Sequence, residues 1–228
     1  MNHLLIVDDN PLDRELARGL VERHIALQAQ FANNGEEAVE HLEATTPLAV
    51  LTDLQMPEMD GLQATRHIRA SAGPNQTKPI LALTANAFVE DAARCKEAGM
   101  NEHLTKPIRR AALEAALLRY LGDRPVTEES RAQAPAPNCG TSAHVLDPQT
   151  WTDLQSDMPW EAVKKLANTF LTNQARELKD MRTDLASGDR EGLRRRAHSL
   201  KGAARLFGAT DLAEVAAALE AEALSIAQ

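Results

Sequence analysis

The sequence predicts an α/β domain on a doubly wound, five-stranded parallel sheet, followed by an all-α antiparallel helical bundle. Three observations predict it. Short apolar runs alternate with amphipathic stretches through residue 121. The stretch GDRPVTEESRAQAPAPNCGTSAH (122–144) then loses all periodicity and is rich in Pro, Ala and small polar residues. Beyond it, every apolar pattern repeats at helical spacing. Residues 1–121 are therefore read as the first domain, 122–144 as a flexible linker and 145–228 as the bundle.

The strands come first. LLIV (4–7), LAVLT (48–52) and ILALT (80–84) are continuous apolar runs, as strands buried on both faces require. ALQAQFA (26–32) and HLT (103–105) are weaker strand candidates. Helical patterns fall between them at 11–25, 35–44, 61–71, 87–98 and 108–121. Asn34-Gly35 breaks the chain before the second helix, and Gly99 follows the fourth where a helix-ending residue belongs. Five βα repeats in this order give a doubly wound sheet, with ligands at the carboxyl ends of its strands.

In the bundle, Trp151, Leu154 and Met158 indicate a short helix. Val163, Leu166, Phe170, Leu178, Met181 and Leu185 mark a long one ended by Ser187-Gly188. Asp189 suits the N-cap of a helix over 190–207 that turns Leu193, Ala197, Leu200, Ala204 and Phe207 inward. Gly208 closes it, and Leu212, Val215, Leu219 and Ala223 mark the last helix. Short connections between long helices make the bundle antiparallel.

Composition excludes several classes of function. No apolar run approaches the ~20 residues of a membrane span. The N-terminus, MNHLLIVDDN, has no secretory pattern. Cys95 and Cys139 alone make neither a disulfide framework nor a zinc site, so a reducing cytoplasm is the expected compartment. A net charge of -8 argues against nucleic acid as a partner. The positive charge is concentrated, with Arg194, Arg195, Arg196, Lys201 and Arg205 within one helix.

Asp8 and Asp9 follow the first strand and Asp53 ends or follows the third. This topology brings the three carboxylates together, and without a cation they repel. The cluster calls for a hard divalent ion, and Mg²⁺ suits carboxylate and water ligands at a site open to phosphate. Thr84 ends the fourth strand and Lys106-Pro107 the fifth, placing a hydroxyl and an ammonium at the same edge for phosphate oxygens. Taken singly, each residue reads as a helix cap or a solvated charge. Together, each at a strand end in the right order, they read as a site.

LLIVDDN, LTDLQMPEMDG, LALTANA and HLTKPI resemble the response-regulator receiver domain, a flavodoxin-like fold, over roughly residues 1–121. The resemblance implies that Asp53 accepts a phosphoryl group as an acyl phosphate. It implies that Asp9 ligates Mg²⁺ directly, Asp8 mostly through water, and the Gln55 backbone carbonyl completes the protein's share. Thr84 and Lys106 would each take a phosphoryl oxygen. Where many receivers carry Tyr or Phe shortly before that lysine, this chain has His103.

The stretch RRRAHSLKGAARLFGA (194–209) sets His198 on one helix face with Arg194, Lys201 and Arg205, exposed at the centre of a cationic stripe. No carboxylate or second histidine stands one turn away, so a metal is disfavoured. Neighbouring cations disfavour imidazolium, and a neutral ring nitrogen can attack phosphorus while Lys201 and the arginines offset the incoming charge. Gly202 leaves room beside the ring for a partner. HSLKGAARLFGA is similar to the signature of the histidine-containing phosphotransfer (HPt) domain, over roughly 145–228. The resemblance implies that His198 exchanges phosphate with a receiver aspartate, with Lys201 assisting.

That family's bundle generally has a further helix after the one beginning near Asp211: either the chain is cut short, or three long helices and the short one make the bundle, or a second chain supplies the missing packing, and a homodimer through the C-terminal bundle is the expectation. The leading reading is a phosphorelay intermediate: phosphate reaches Asp53 from a sensor histidine kinase, moves to His198, and passes to another receiver or HPt domain. No Gly-rich ATP-binding loop appears, so phosphotransfer and self-dephosphorylation are the only chemistry expected of the chain. The alternative is a phosphorylation-controlled binding switch or phosphate sink. A transcription factor fits poorly, since the one basic helix carries Gly202, which costs about 1 kcal/mol relative to Ala mid-helix. A metal-dependent hydrolase lacks a general acid two residues after Asp53, where Gln55 stands.

Overall fold

The computed structural model describes residues 3–25, 27–85, 89–121 and 146–225. The chain forms two compact units that divide between Ala136 and Pro137. The linker read over 122–144 lies outside the described residues, as do residues 86–88, where the fourth helix is expected to begin.

The first unit runs β1 (His3–Val7), α1 (Pro11–His24), β2 (Gln28–Ala32), α2 (Gly35–Ala44), β3 (Ala49–Asp53), α3 (Gly61–Ala70), β4 (Ile80–Thr84), α4 (Val89–Ala98), β5 (Glu102–Thr105) and α5 (Arg110–Leu121). All pairings are parallel, in the order β2-β1-β3-β4-β5. The apolar runs in β1, β3 and β4 are buried at every position because helices cover both faces of the sheet. The mixed QAQFA of β2 is largely half-exposed at the sheet edge. In the register, Val7 faces Thr52, Asp53 faces Leu83 and Thr84 faces Thr105, so the carboxyl ends of β1, β3, β4 and β5 share one rim.

Local sequence sets the helix starts. The Asn10 side chain accepts from Leu12 N, with Pro11 in the first turn of α1. Asn34 caps α2, and Asp60 with Gln63 forms a capping box on α3. Gly99 takes φ 94 after α4, a left-handed conformation that glycine adopts without strain. The Lys106-Pro107 peptide is cis.

The second unit runs α6 (Pro148–Asp157), α7 (Trp160–Ser187), α8 (Arg190–Leu206) and α9 (Thr210–Ser225). Gly188, at φ 75, ends α7, and Asp189 caps α8 by accepting from Gly192 N. The inward set expected of α8 is buried throughout: Leu193, Ala197, Leu200, Ala204 and Phe207. Leu193, Ala197 and Leu200 pack with Met181 and Ala216, while Trp151, Trp160, Phe170 and Phe207 form an aromatic cluster at one end.

Two helices differ from expectation. In α7, Val163, Leu166 and Met181 are buried, but Leu178 and Leu185 are 47% and 68% exposed. One residue of helix is about 100° of rotation, so Leu178 and Leu185 fall off the buried line, where Glu177, Met181 and Asp184 stand. In α9, Leu212 and Val215 are exposed, whereas Ala213 and Ala216 are buried. Small side chains let α9 lie close along α8.

One close approach shapes the rim. A Cβ on Gly61 would lie 2.1 Å from the Asp53 carbonyl oxygen, so α3 can start there only without a side chain. Gly61→Ala is expected to destabilise the first unit by roughly 1–3 kcal/mol in denaturant unfolding. Gly73→Ala, where a Cβ meets nothing within 4 Å, should stay within about 0.5 kcal/mol of wild type.

Candidate functional site

The rim gathers Asp8 and Asp9 after β1, Asp53 at the end of β3, Thr84 at the end of β4 and Lys106 just after β5. Carboxylate oxygens of Asp8, Asp9 and Asp53 all lie within 4.8 Å of one another. Asp8, Asp53, Thr84 and Lys106 are buried, and Asp9 is exposed. Backbone contacts close the floor: Lys106 N–H donates to the Thr84 carbonyl at 2.7 Å, and Gln55 N–H donates to Asp53 Oδ1 at 3.2 Å.

The Lys106 ammonium sits at the centre. It donates to Asp53 Oδ2 at 2.7 Å and to Asp13 Oδ2 at 2.8 Å. It approaches Asp8 Oδ2 at 2.7 Å as an ion pair, yet that oxygen has no hydrogen bond. Asp8 Oδ1 is bound by Asn10 N–H at 2.9 Å. A buried carboxylate oxygen without a hydrogen bond, beside two further carboxylates, is the donor set a hard divalent cation would complete. The residues present fit Mg²⁺.

The protonation energetics agree. Burial pushes the Asp8 carboxyl well above its ordinary range, against the opposing pull of Lys106. Asp9 is pushed up to about 6, first by burial of its immediate surroundings and next by the charge of Asp53. Burial pulls the Lys106 ammonium down, but Asp13, then Asp53 and Asp8, outweigh it and hold it well above its ordinary value.

His198 is not the exposed centre of a cationic stripe that its own helix suggests. Its side chain is 12% exposed, and Nδ1 lies 2.7 Å from Glu220 Oε1 of α9. The other Glu220 oxygen accepts from Lys201 Nζ at 2.5 Å, and Lys201 is buried. Arg194 is paired with Glu191, and Arg196 with Glu177, Asp180 and Asp184. These neighbouring cations are therefore already offset, and a carboxylate, not the cations, governs the ring. Burial raises the Glu220 carboxyl, but the His198 and Lys201 hydrogen bonds outweigh it and hold it down at about 2. Glu220 can only accept, so the neutral imidazole carries its proton on Nδ1 and presents a lone pair at Nε2. A Cβ on Gly202 would meet nothing within 4 Å.

Two residues escape a reading along the chain. Asp13 looks like an ordinary acidic residue in the first turn of a helix, although it stands one turn after Asp9. Glu220 is remote from His198 in sequence, but the two lie equally far from Ala209 in the α8–α9 turn. In an antiparallel hairpin such residues meet. The Gln55 carbonyl has no role in the contacts described above.

A doubly wound sheet with a carboxylate–lysine rim, followed by a helical unit with a carboxylate-held histidine, defines the domain pair of two-component phosphorelay signalling. The chain belongs to the response regulator receiver domain family, which residues 4–118 match, and residues 165–228 match the Hpt domain. It is 30% identical over 211 residues to the sensor histidine kinase GacS of Pseudomonas protegens, covering 92% of this chain and 23% of that protein. It is 37% identical over 117 residues to the sensor histidine kinase RcsC of Salmonella typhi, covering 51% of this chain and 12% of RcsC. The chain thus spans under a quarter of these relatives. Among solved structures, the receiver domain of the Pseudomonas aeruginosa sensor histidine kinase PA1611, with a magnesium ion coordinated in its active site cleft, is similar at TM-score 0.50. Identity there is 36%, over 54% of this chain and 98% of that one. Among the described residues, no helix is long and apolar enough to cross a membrane.

The depressed Glu220 has a consequence with a definite sign. Its contribution to stability is full above the ordinary carboxyl value near 4.5 and is lost as pH falls toward about 2. Trp151 and Trp160, the chain's two tryptophans, both report on this unit. Fluorescence-monitored melting should therefore show wild type above Glu220→Gln at pH 7, with the gap closing between pH 4.5 and pH 2. A gap of equal size at both ends of that range would contradict the assignment.

Proposed function

We propose that the chain is a phosphorelay intermediate: Asp53 accepts a phosphoryl group in a Mg²⁺-dependent step, and His198 exchanges it with Asp53 and with domains of partner proteins. The observation that carries this reading is the presence in one chain of both chemical halves. Asp53 stands beside a buried ammonium, and His198 has one ring nitrogen held by Glu220 with the other left to react.

The Asp53 carboxylate attacks phosphorus, and the donor departs with the bonding electrons. A carboxylate is a weak nucleophile, but a loose transition state needs its charge spread more than it needs a strong attacker. Lys106 and the Thr84 hydroxyl take phosphoryl oxygens. Asp8, Asp9 and Asp53, with the Gln55 carbonyl, would hold Mg²⁺, which supplies further positive charge at the phosphoryl group.

In the second transfer, a bond forms from His198 Nε2 to phosphorus as the Asp53 oxygen–phosphorus bond breaks, returning Asp53 to a carboxylate. Nδ1 keeps its proton, and the fixed Glu220 charge stabilises the positive ring as it develops. Lys201 adds positive charge beside the incoming group. A sensor histidine kinase upstream and another receiver or Hpt domain are the partners this chemistry fits.

With acetyl phosphate and Mg²⁺, wild-type protein should acquire acid-labile, alkali-stable label on His198. Asp53→Ala and His198→Ala should each lack it, and mixing the two variants should restore it where transfer runs between chains. Wild-type label that is wholly alkali-labile would exclude the relay and leave a binding switch or phosphate sink.

A further inference from the structure

We infer that Asp13 is a positioning residue for Lys106: it anchors the ammonium from α1 so that one N–H stays fixed while another turns from Asp53 to a phosphoryl oxygen. The inference rests on the phosphoacceptor role proposed for Asp53, and goes beyond it in assigning a residue that no strand end carries.

Asp13 and Lys106 are 7% and 5% exposed at the side chain, and their contact is a hydrogen bond of 2.8 Å. Lys106 donates to Asp13 and Asp53, and Asp8 Oδ2 also lies 2.7 Å from it. Asp13 is absent from the group of oxygens that lie within 4.8 Å of one another. It touches the lysine, not the cation position. Its own place is rigid, because Asn10 caps α1 and Pro11 sets the first turn.

The two partners differ in what phosphorylation does to them. Phosphorylated Asp53 is an acyl phosphate, whose carboxylate charge is gone and whose negative charge lies out on the phosphoryl oxygens. Asp8 Oδ2 is the oxygen a divalent cation would claim. Asp13 alone keeps both its charge and its contact throughout. Without it, a four-carbon side chain would lose its one constant tether as its second partner changed, and lysine has much rotamer freedom to recover. Asp13 is also the largest of the carboxylate influences that hold Lys106 charged against burial.

The experiment uses the full chain with Asp13→Asn, which retains an acceptor oxygen but no charge, and Asp13→Ala, which retains neither. Two readouts are taken. Without any phosphodonor, nitrogen NMR of lysine side chains should show a slowly exchanging ammonium in wild type, assigned by its loss in Lys106→Met. That signal should broaden in Asp13→Ala and survive in part in Asp13→Asn, while backbone amide spectra show both variants folded. With acetyl phosphate and Mg²⁺, labelling of Asp53 should slow about tenfold in Asp13→Ala and about threefold in Asp13→Asn. In a Lys106→Met background, Asp13→Ala should add no further loss.

An unchanged ammonium signal in Asp13→Ala overturns the inference, whatever the labelling shows. So does an Asp13→Ala loss of the same size with and without Lys106, which would mean a merely structural role. Failure of the underlying function looks different: wild type would take no more label than Asp53→Ala, while the ammonium signal still reports on Asp13.

Discussion

The rim of the first unit depends on one buried ammonium. Lys106 lies within 2.8 Å of three carboxylates that arrive from three different elements: Asp8 after β1, Asp13 on α1 and Asp53 on β3. Three buried carboxylates would repel, and a buried lysine alone would be neutralised. Each charge is tolerated because the other is there. Breaking such a set typically costs about 3–5 kcal/mol, because the remaining partner is left uncompensated. The same contact joins the ends of the sheet to its first helix, so the stability of the rim and the electrostatic surroundings of Asp53 are properties of one cluster.

The second unit solves a similar problem with the signs reversed. There one carboxylate, Glu220, serves two basic groups, accepting from Lys201 and holding His198 Nδ1. The bridge fixes the ring's orientation and tautomer, and it spans α8 and α9, whose small buried alanines bring the helices close. Packing and chemistry again coincide: the alanines that seem too small for a core are what place Glu220 within reach of His198.

Legibility followed the kind of constraint. Strands buried on both faces announce themselves as unbroken apolar runs, so β1, β3 and β4 were readable almost to the residue. Asp8, Asp9, Asp53, Thr84 and Lys106 were readable because each stands at a strand end, and parallel topology converts that position into proximity. The helical unit is less explicit. A long helix with leucines at 178 and 185 and glutamate at 177 does not say which line faces inward; in the fold Met181 is buried, and Glu177, Asp180 and Asp184 pair with Arg196. Glu220 and Asp13 were hidden for a common reason. Both act across a contact between elements, and neither departs from what an exposed helical acid looks like in sequence.

The paired state of the basic helix changes how its charge acts. Counted along the chain, Arg194, Lys201 and Arg205 form a cationic stripe around His198 fit for long-range attraction. In the fold Arg194 and Lys201 are each met by a carboxylate at 2.7 Å or less, as Arg196 of the same helix is at 3.3 Å or less, so part of that distant field is cancelled. What survives is short-range and directional: in the proposed exchange, a paired lysine would still be able to redirect an N–H toward an incoming phosphoryl oxygen. Offset charges of this kind favour orientation at close contact over steering from afar. For the phosphate exchange proposed at His198, the fit of the surface around Gly202 and the ring would therefore matter more than net charge, which agrees with the acidic balance of the whole chain.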